Sequence, residues 1–250
     1  MIHGLRTRVS SLTALIALAT AGSAVAGTFS ISPIRVELTG AQRTEALTVR
    51  NEESDQSVVV QAQAFSWTQQ DGQDGFGETH DIIVTPPVFT LAPNSQQIVR
   101  VAARRAADPK RELNYRLILQ EVPPEAPKNF TGLQVALRLS LPIFIASQTK
   151  SAPDLIWSSA WQADGSLQVT VKNQGDAHIQ ITDFTVRAKS SDATLKNSVV
   201  KYVLPGATMS WLLQAPTNAQ QSSVLKQGTL TLRGSSDRGE IAADLTAAGQ

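Results

Sequence analysis

Apolar and polar residues alternate in short segments along most of this chain, and Gly, Pro, Asn, Asp and Ser cluster between the segments. A period of two predicts β-strands, because successive side chains of a strand point to opposite faces. No segment has the spacing of an amphipathic helix of three turns. The predicted strands are 29–38, 46–50, 58–67, 82–84, 97–103, 115–122 and 133–145, then 167–173, 179–188, 199–204, 209–214, 228–233 and 240–245. The pattern therefore predicts an all-β protein.

The predicted strands fall into two sets with a short polar segment between them. Residues 148–153 lose the alternation and contain small and polar residues with one Pro, which is typical of a linker between domains. Seven short strands with turn signals between them indicate an immunoglobulin-like sandwich in the first set. We therefore predict one such domain over 27–147 and a second over 154–250.

The first 26 residues have the pattern of an export signal. Arg6 and Arg8 form a basic segment, residues 12–21 are apolar, and residues 24–26 read Ala-Val-Ala, which fits a signal-peptidase site. The alternative is a permanent membrane anchor, but the apolar segment is shorter than a membrane-spanning helix needs. We therefore predict that residues 1–26 are a signal peptide and that the protein is exported.

Composition argues against several classes of function. The 22 basic and 21 acidic residues nearly balance, so no excess of positive charge favours nucleic acid. The absence of Cys removes thiol nucleophiles and thiolate metal sites. His80 and His178 lie far apart in the sequence and lack a second ligand at helical spacing. With no catalytic or nucleotide motif present, we predict no enzyme activity, metal, cofactor or small-molecule substrate.

The segment 133–145 carries a large aliphatic side chain at every odd position. A strand of this length would span about 40 Å at about 3.3 Å per residue, roughly twice the usual strand length. A long aliphatic edge promotes aggregation unless it pairs with another chain. The segment is therefore either a long core strand or a strand that pairs with a partner.

Several blocks of sequence resemble one family of β-sandwich proteins. Residues 83–88 (IVTPPV), 91–93 (LAP), 97–101 (QIVRV) and 115–124 (YRLILQEVPP) precede the aliphatic segment. Their order and spacing resemble the periplasmic chaperones of the chaperone–usher pilus pathway. The ending of the segment, residues 141–144 (LPIF), is more similar to the archaic (σ) branch of that family.

The resemblance implies a fold, a function and a set of partners. The fold would be two immunoglobulin-like sandwiches in an L-shaped (boomerang) arrangement with a cleft between them. The function would be to bind pilus subunits (pilins) by lending an edge strand, without ATP, and to deliver them to an outer-membrane usher. The free chaperone could also cap its own edge by forming a dimer.

The resemblance also implies roles for particular residues. Donor-strand positions fall on Leu133, Val135, Leu137, Leu139 and Leu141. Of the two cations that anchor the subunit's terminal carboxylate in the family, the first matches Arg35 and the second falls on Pro142, so Arg116 is the candidate replacement and Arg138 the next. Both of these arginines could instead be solvent-facing strand positions. Arg100 and Glu121 match structural ion pairs near the domain interface.

Two other functions compete with the chaperone prediction. A filament subunit would carry its donor segment at the mature N-terminus and one domain, whereas here the aliphatic segment is internal and two sets of strands are present. An enzyme on a sandwich scaffold would need a catalytic constellation that the sequence does not offer. We therefore favour an assembly chaperone.

Overall fold

The computed structural model describes residues 29–125, 131 and 135–247, and these contain nineteen strands and one helix. The predicted signal peptide lies outside the described residues. In the first half the strands are β1 (Phe29–Ser32), β2 (Val36–Leu38), β3 (Thr44–Asn51), β4 (Val58–Gln70), β5 (Gln73–Glu78), β6 (Ile82–Thr85), β7 (Val88–Leu91), β8 (Gln96–Ala103), β9 (Leu113–Glu121) and β10 (Arg138–Ile145).

These ten strands form two sheets that share one hydrophobic core. One sheet has the order β1-β3-β8-β6, and the other has the order β2-β10-β9-β4-β5 with β7 paired to β4. The alternating sequence explains the core, because one face of each strand supplies it: Leu47 and Val49 from β3, Val99 and Val101 from β8, and Leu117 and Leu119 from β9 are buried. The first half is therefore a β-sandwich.

The second half contains β11 (Leu155–Trp161), β12 (Leu167–Asn173), β13 (Ile179–Ala188), β14 (Thr194–Asn197), β15 (Lys201–Val203), β16 (Thr208–Leu213), α1 (Ala219–Gln227), β17 (Leu230–Ser236), β18 (Gly239–Asp244) and β19 (Thr246–Ala247). Its sheets have the orders β16-β12-β11-β19 and β14-β13-β17-β18, with β15 paired to β13. Trp157, Phe184 and Trp211 meet in the core between them, with ring centroids 5.2 to 6.0 Å apart. This half is a second sandwich.

Several elements of the fold differ from the sequence prediction. The predicted strand 29–38 is divided into β1 and β2, and β5, β7, β11 and β14 were not predicted. Asp71 and Gly72 form the turn between β4 and β5, with positive φ angles of 51° and 74°. The helix α1 was not predicted, because Leu225 is its only buried residue and its apolar pattern is correspondingly weak. Asn218 caps it by accepting from the backbone N–H groups of Gln220 and Gln221.

The connection between β10 and β11 is bound to both sandwiches. Gln148 N–H donates to the Asp108 carbonyl on the first sandwich. On the second, Asp154 N–H donates to Asn173 Oδ1 and Asp176 N–H donates to the Ala152 carbonyl. These bonds restrict the connection from both ends. No helix in the described part of the chain is long and apolar enough to cross a membrane.

Candidate functional site

The aliphatic segment forms a shorter strand than the sequence predicts. Strand β10 begins at Arg138, residues 135–137 are not in a strand, and Leu133 lies outside the described residues. The neighbouring strand β9 ends at Glu121, whose N–H donates to the Leu137 carbonyl while its Oε2 accepts from Leu137 N–H. The prediction of a continuous strand is therefore wrong over 135–137, because β9 offers no ladder partner beyond Glu121.

One edge of β10 is unpaired along its first half. Strand β9 pairs with β10 along its full length, but β2 pairs only with Ile143, Phe144 and Ile145 on the other side. No strand among the described residues pairs with the outer edge of Arg138–Leu141. Because Leu137 bonds to β9 and antiparallel ladders alternate, the N–H and C=O groups of Arg138 and Ser140 point to this free edge. The next residue in that phase is Pro142, which has no N–H to leave unpaired.

The exposed fraction of the aliphatic side chains decreases along the segment. Val135 is 58% exposed, Leu137 and Leu139 are partly buried against the core of the first sandwich, and Leu141 is only 5% exposed within it. The prediction that Leu141 contacts a partner does not fit this burial, because its side chain fills the protein's own core. The accessible aliphatic face therefore consists of Val135, Leu137 and Leu139.

A row of aromatic residues and one arginine lies where the two sandwiches meet. Arg116 on β9 pairs with Phe65 on β4 and with Pro142 on β10, so the three share one face of the sheet. The Arg116 guanidinium carbon lies 3.7 Å from the ring centroid of Trp67 and 5.5 Å from that of Tyr202. Arg116, whose backbone position pairs with Pro142, thus carries its cation against aromatic rings from both sandwiches.

The Arg116 guanidinium is only partly satisfied. Its Nε is buried and has no hydrogen-bond partner among the described residues. Burial lowers the pKa of Arg116, while the Asp74 carboxylate opposes that effect. A guanidinium that keeps free donors in a partly dry site favours binding of a carboxylate.

Arg35 lies in a cleft that Tyr202 also lines, but it already has acidic partners. Its Nε is 2.9 Å from Glu37 Oε1 and its Nη1 is 2.8 Å from Asp237 Oδ2 of the second sandwich. Burial alone would lower the pKa of Arg35, but these carboxylates outweigh it and the pKa is raised. The surrounding cleft has a volume of about 560 Å³ and is lined by Ile34, Glu45 and Tyr202 among others.

The structure brings together two of the three predicted anchor residues. The Arg116 guanidinium carbon lies 5.5 Å from the ring centroid of Tyr202, and Arg35 lines a cleft together with Tyr202. Burial raises the pKa of the Tyr202 phenol, and the guanidinium groups of Arg35 and Arg116 oppose part of that rise. Arg138 pairs with Gln120 at the other end of β10, about 13 Å along the strand from Pro142 at about 3.3 Å per residue. Its prediction as an anchor is therefore wrong, because it lies away from the cleft.

A buried polar cluster that the sequence analysis missed connects the two sandwiches. His178 Nδ1 is 2.7 Å from Glu112 Oε1, and the His178 ring stacks on Phe144 at 3.5 Å between centroids. His178 Nε2 is 3.6 Å from Asp237 Oδ2, which in turn holds Arg35. Acidic and basic side chains thus alternate across the interface, in the order Glu112, His178, Asp237, Arg35. The sequence held no signal for it beyond a lone His with no local partner.

Arg100 and Glu121 do not form the predicted ion pairs. Arg100 is exposed on β8, and Glu121 lies at the end of β9 that is remote from Arg116. Neither has an ionic partner within the described residues, and Glu121 instead accepts from the Leu137 backbone. The polar contacts of the interface are supplied by the cluster around His178. The described residues also contain no group of three or more His, Asp or Glu side chains that could hold a metal ion.

Residues 28–149 match the family described as pili and flagellar-assembly chaperone, PapD N-terminal domain. The chain is also 26% identical over 196 residues to chaperone protein LpfB of Salmonella typhimurium, covering 76% of this chain and 81% of that protein. The chain belongs to the pilus-assembly chaperones of the chaperone–usher pathway. The probable fimbrial chaperone LpfB of Escherichia coli O157:H7 is 29% identical over 140 residues, which cover 53% of this chaperone and 57% of that protein.

Solved structures of other chaperones share the fold of this one. A chain of the CsuC–CsuE chaperone–tip adhesion subunit complex from archaic Csu pili of Acinetobacter baumannii matches with a TM-score of 0.66 at 21% identity, covering 89% of this chain and all of that chain. The Salmonella enterica SafA pilin–SafB chaperone complex gives a TM-score of 0.59 at 17% identity, covering 88% and 98%. Because these matches cover both halves, the two-sandwich fold of the family is confirmed for this chaperone.

Proposed function

We propose that this chaperone binds a pilus subunit in the periplasm by lending it the free edge of β10. The observation that carries the proposal is the unpaired stretch Arg138–Leu141, beside which lie partly exposed aliphatic side chains. An extended segment of another chain can continue such a sheet through its backbone, while alternate side chains select which segment fits. The complexes of CsuC with CsuE and of SafB with SafA support this reading, because those chaperones are seen with their subunits.

The aliphatic side chains supply part of the energy of subunit binding. Leu137 and Leu139 pack on the same core, and we assign Leu133 and Val135 to the same row from the alternation of the sequence. Fully burying an exposed aliphatic side chain contributes about 1.5–3 kcal/mol before the costs of ordering, and the partly buried Leu137 and Leu139 each contribute less than that. We propose that this burial and the strand pairing drive binding without ATP, a cofactor or an enzymatic step.

We assign Arg35 and Arg116 as the anchor for the subunit's terminal carboxylate. The Arg116 guanidinium carbon lies 5.5 Å from the centroid of the Tyr202 ring, Arg35 lines a cleft together with Tyr202, and the Arg116 Nε is buried without a partner among the described residues. A carboxylate placed there would satisfy donors that the protein itself leaves free. Position 142 on β10 is a proline and carries no charge. Arg116, which pairs with it from β9, thus supplies the second cation.

The remaining assignments follow from membership of the family. We propose that residues 1–26 direct export to the periplasm, that residues 27–147 bind the subunit, and that residues 148–153 link this domain to residues 154–250. We further propose that an outer-membrane usher receives the subunit, that the free chaperone caps its edge by dimerising, and that it belongs to the archaic branch. The archaic assignment is supported by the residues 141–144 and by the match to the Csu chaperone.

Replacing Ser140 by Pro tests the use of the backbone edge. The substitution removes an N–H that points away from β9, so we expect the chaperone to stay folded while its affinity for a co-expressed fimbrial subunit falls about tenfold. Ser140→Ala, which keeps the N–H, should bind like the wild type. The measurement is co-purification from periplasmic extract followed by titration. A folded Ser140→Pro variant with wild-type affinity would refute strand lending at this edge.

A further inference from the structure

Asp237 lies between two cationic side chains from different parts of the interface. Its Oδ1 accepts from Gln180 N–H at 2.9 Å, which fixes one oxygen. Its Oδ2 is 2.8 Å from Arg35 Nη1 and 3.6 Å from His178 Nε2. The second distance is just beyond a hydrogen bond, and His178 Nε2 is buried with no partner in the described residues. A shift of less than about 1 Å would therefore change the hydrogen-bond partner of Asp237 Oδ2 from Arg35 to His178.

The surroundings of His178 determine when Nε2 can donate. Glu112 Oε1 accepts from the His178 backbone N–H at 3.2 Å and lies 2.7 Å from Nδ1, so a carboxylate keeps the ring proton on Nδ1. With Nδ1 protonated, Nε2 carries a proton only in the imidazolium form. The stack on Phe144 holds the ring in plane. His178 can therefore donate from Nε2 to Asp237 only while the His178 ring is positively charged.

We propose that Asp237 is an exchangeable counter-ion, which holds Arg35 in the free chaperone and passes to His178 when the terminal carboxylate of a subunit binds Arg35. This inference rests on the proposed anchor role of Arg35. It makes Asp237 and His178, both in the second sandwich, positioning residues for a carboxylate bound by the first.

The charges around the cleft show why the exchange matters. Without it, a carboxylate arriving at Arg35 meets both Glu37 and Asp237 on the same guanidinium. Moving Asp237 onto the His178 imidazolium lessens that repulsion and frees the Nη1 donor. The exchange therefore converts an occupied guanidinium into one that can bind a ligand with two donors.

The titration of His178 sets the direction of the pH dependence. Burial lowers its pKa, but the carboxylates of Asp237 and Glu112 outweigh this and raise the pKa above the ordinary 6.5. The other polar groups that face it are Tyr202, 5.8 Å away between ring centroids, and Arg238, whose Nε donates to the His178 carbonyl. Carboxylate binding should be supported below this raised pKa and weaken as the pH rises through it.

The test compares two forms of one short synthetic peptide of alternating Val and Thr, with a free terminal carboxylate or a terminal amide. The quantity compared is the affinity for the carboxylate form divided by the affinity for the amide form, measured on the same protein from pH 6 to pH 9. This ratio is insensitive to a general loss of structure, because such a loss weakens both affinities equally. For the wild type we expect the ratio to fall with rising pH, by up to about tenfold per pH unit above the His178 pKa.

Variants separate the exchange from the anchor. Asp237→Asn should raise the ratio by roughly tenfold and remove its pH dependence, and His178→Gln should give a low ratio that does not change with pH. Asp192→Asn, an exposed acid paired with Arg187, is the matched control and should behave like the wild type. Circular dichroism confirms that each variant is folded.

The outcomes distinguish the two claims. If Arg35→Ala keeps the wild-type preference for the carboxylate, Arg35 is not the anchor and both claims fail. If Arg35→Ala loses the preference but Asp237→Asn and the wild type give the same pH-independent ratio, the anchor stands and the exchange is refuted. A wild-type ratio that rises with pH would also refute the exchange.

Discussion

Replacing Val135 by Asp should remove subunit binding and leave the chaperone folded. Val135 is 58% exposed and does not belong to the core of the first sandwich, so the substitution costs little in the free protein. In the complex the carboxylate would enter an apolar groove without a partner, and we expect a loss of affinity of about a hundredfold or more. Co-purification with a fimbrial subunit, followed by titration, measures the effect.

Val88→Asp is the matched control for this experiment. Val88 is 55% exposed and lies on β7, which pairs with β4 and not with β10. It therefore reports the effect of adding the same charge to an exposed valine elsewhere on the same domain. Equal subunit binding by the two variants would show that the position of Val135 has no special role.

Replacing Arg116 by Met should weaken subunit binding by roughly ten- to a hundredfold, which corresponds to about 1.5–3 kcal/mol for hydrogen bonds to a charged group. Met keeps an apolar stem to pack on Trp67 but lacks the guanidinium that we assign to the carboxylate. Arg116→Lys should be intermediate, because an ammonium keeps the charge and loses the paired donors and the stacking. Affinity for the subunit and the melting temperature of the free variant are the measurements.

Arg138→Met serves as the matched control for Arg116. It removes the same side chain from a strand that pairs with β9, at a position outside the cleft. We expect an affinity close to that of the wild type. If Arg138→Met weakens binding as much as Arg116→Met in folded proteins, the anchor lies elsewhere than in the cleft between Arg35 and Tyr202.

The alternation of the sequence was sufficient to predict the sandwich fold, because local periodicity and core packing agree in these strands. The odd positions from 137 to 145 do face the core, and the even positions Arg138 and Ser140 are exposed, as a period of two requires. What local periodicity could not specify is where pairing stops. The end of β9 at Glu121, on a different segment, determines that β10 begins near Arg138.

The interface between the sandwiches could be predicted only in part. Arg35 and Arg116 were found from the resemblance to the family, and both lie near Tyr202. The bond between Arg35 and Asp237 joins residues 202 positions apart, and that between Glu112 and His178 joins residues 66 apart. No periodicity or spacing in a single sequence reports such pairs, because the relative placement of the two sandwiches creates them.

Amide hydrogen exchange along β10, measured residue by residue by NMR in the free chaperone and in its complex with a fimbrial subunit, tests strand lending most directly. In the free protein the amides of Leu139 and Leu141 bond to β9 and should exchange slowly, whereas those of Arg138 and Ser140 point to the free edge and should exchange rapidly. In the complex we expect the Arg138 and Ser140 amides to slow by about a hundredfold or more, because they pair with the subunit. Unchanged rapid exchange at both amides in a saturated complex would contradict the account.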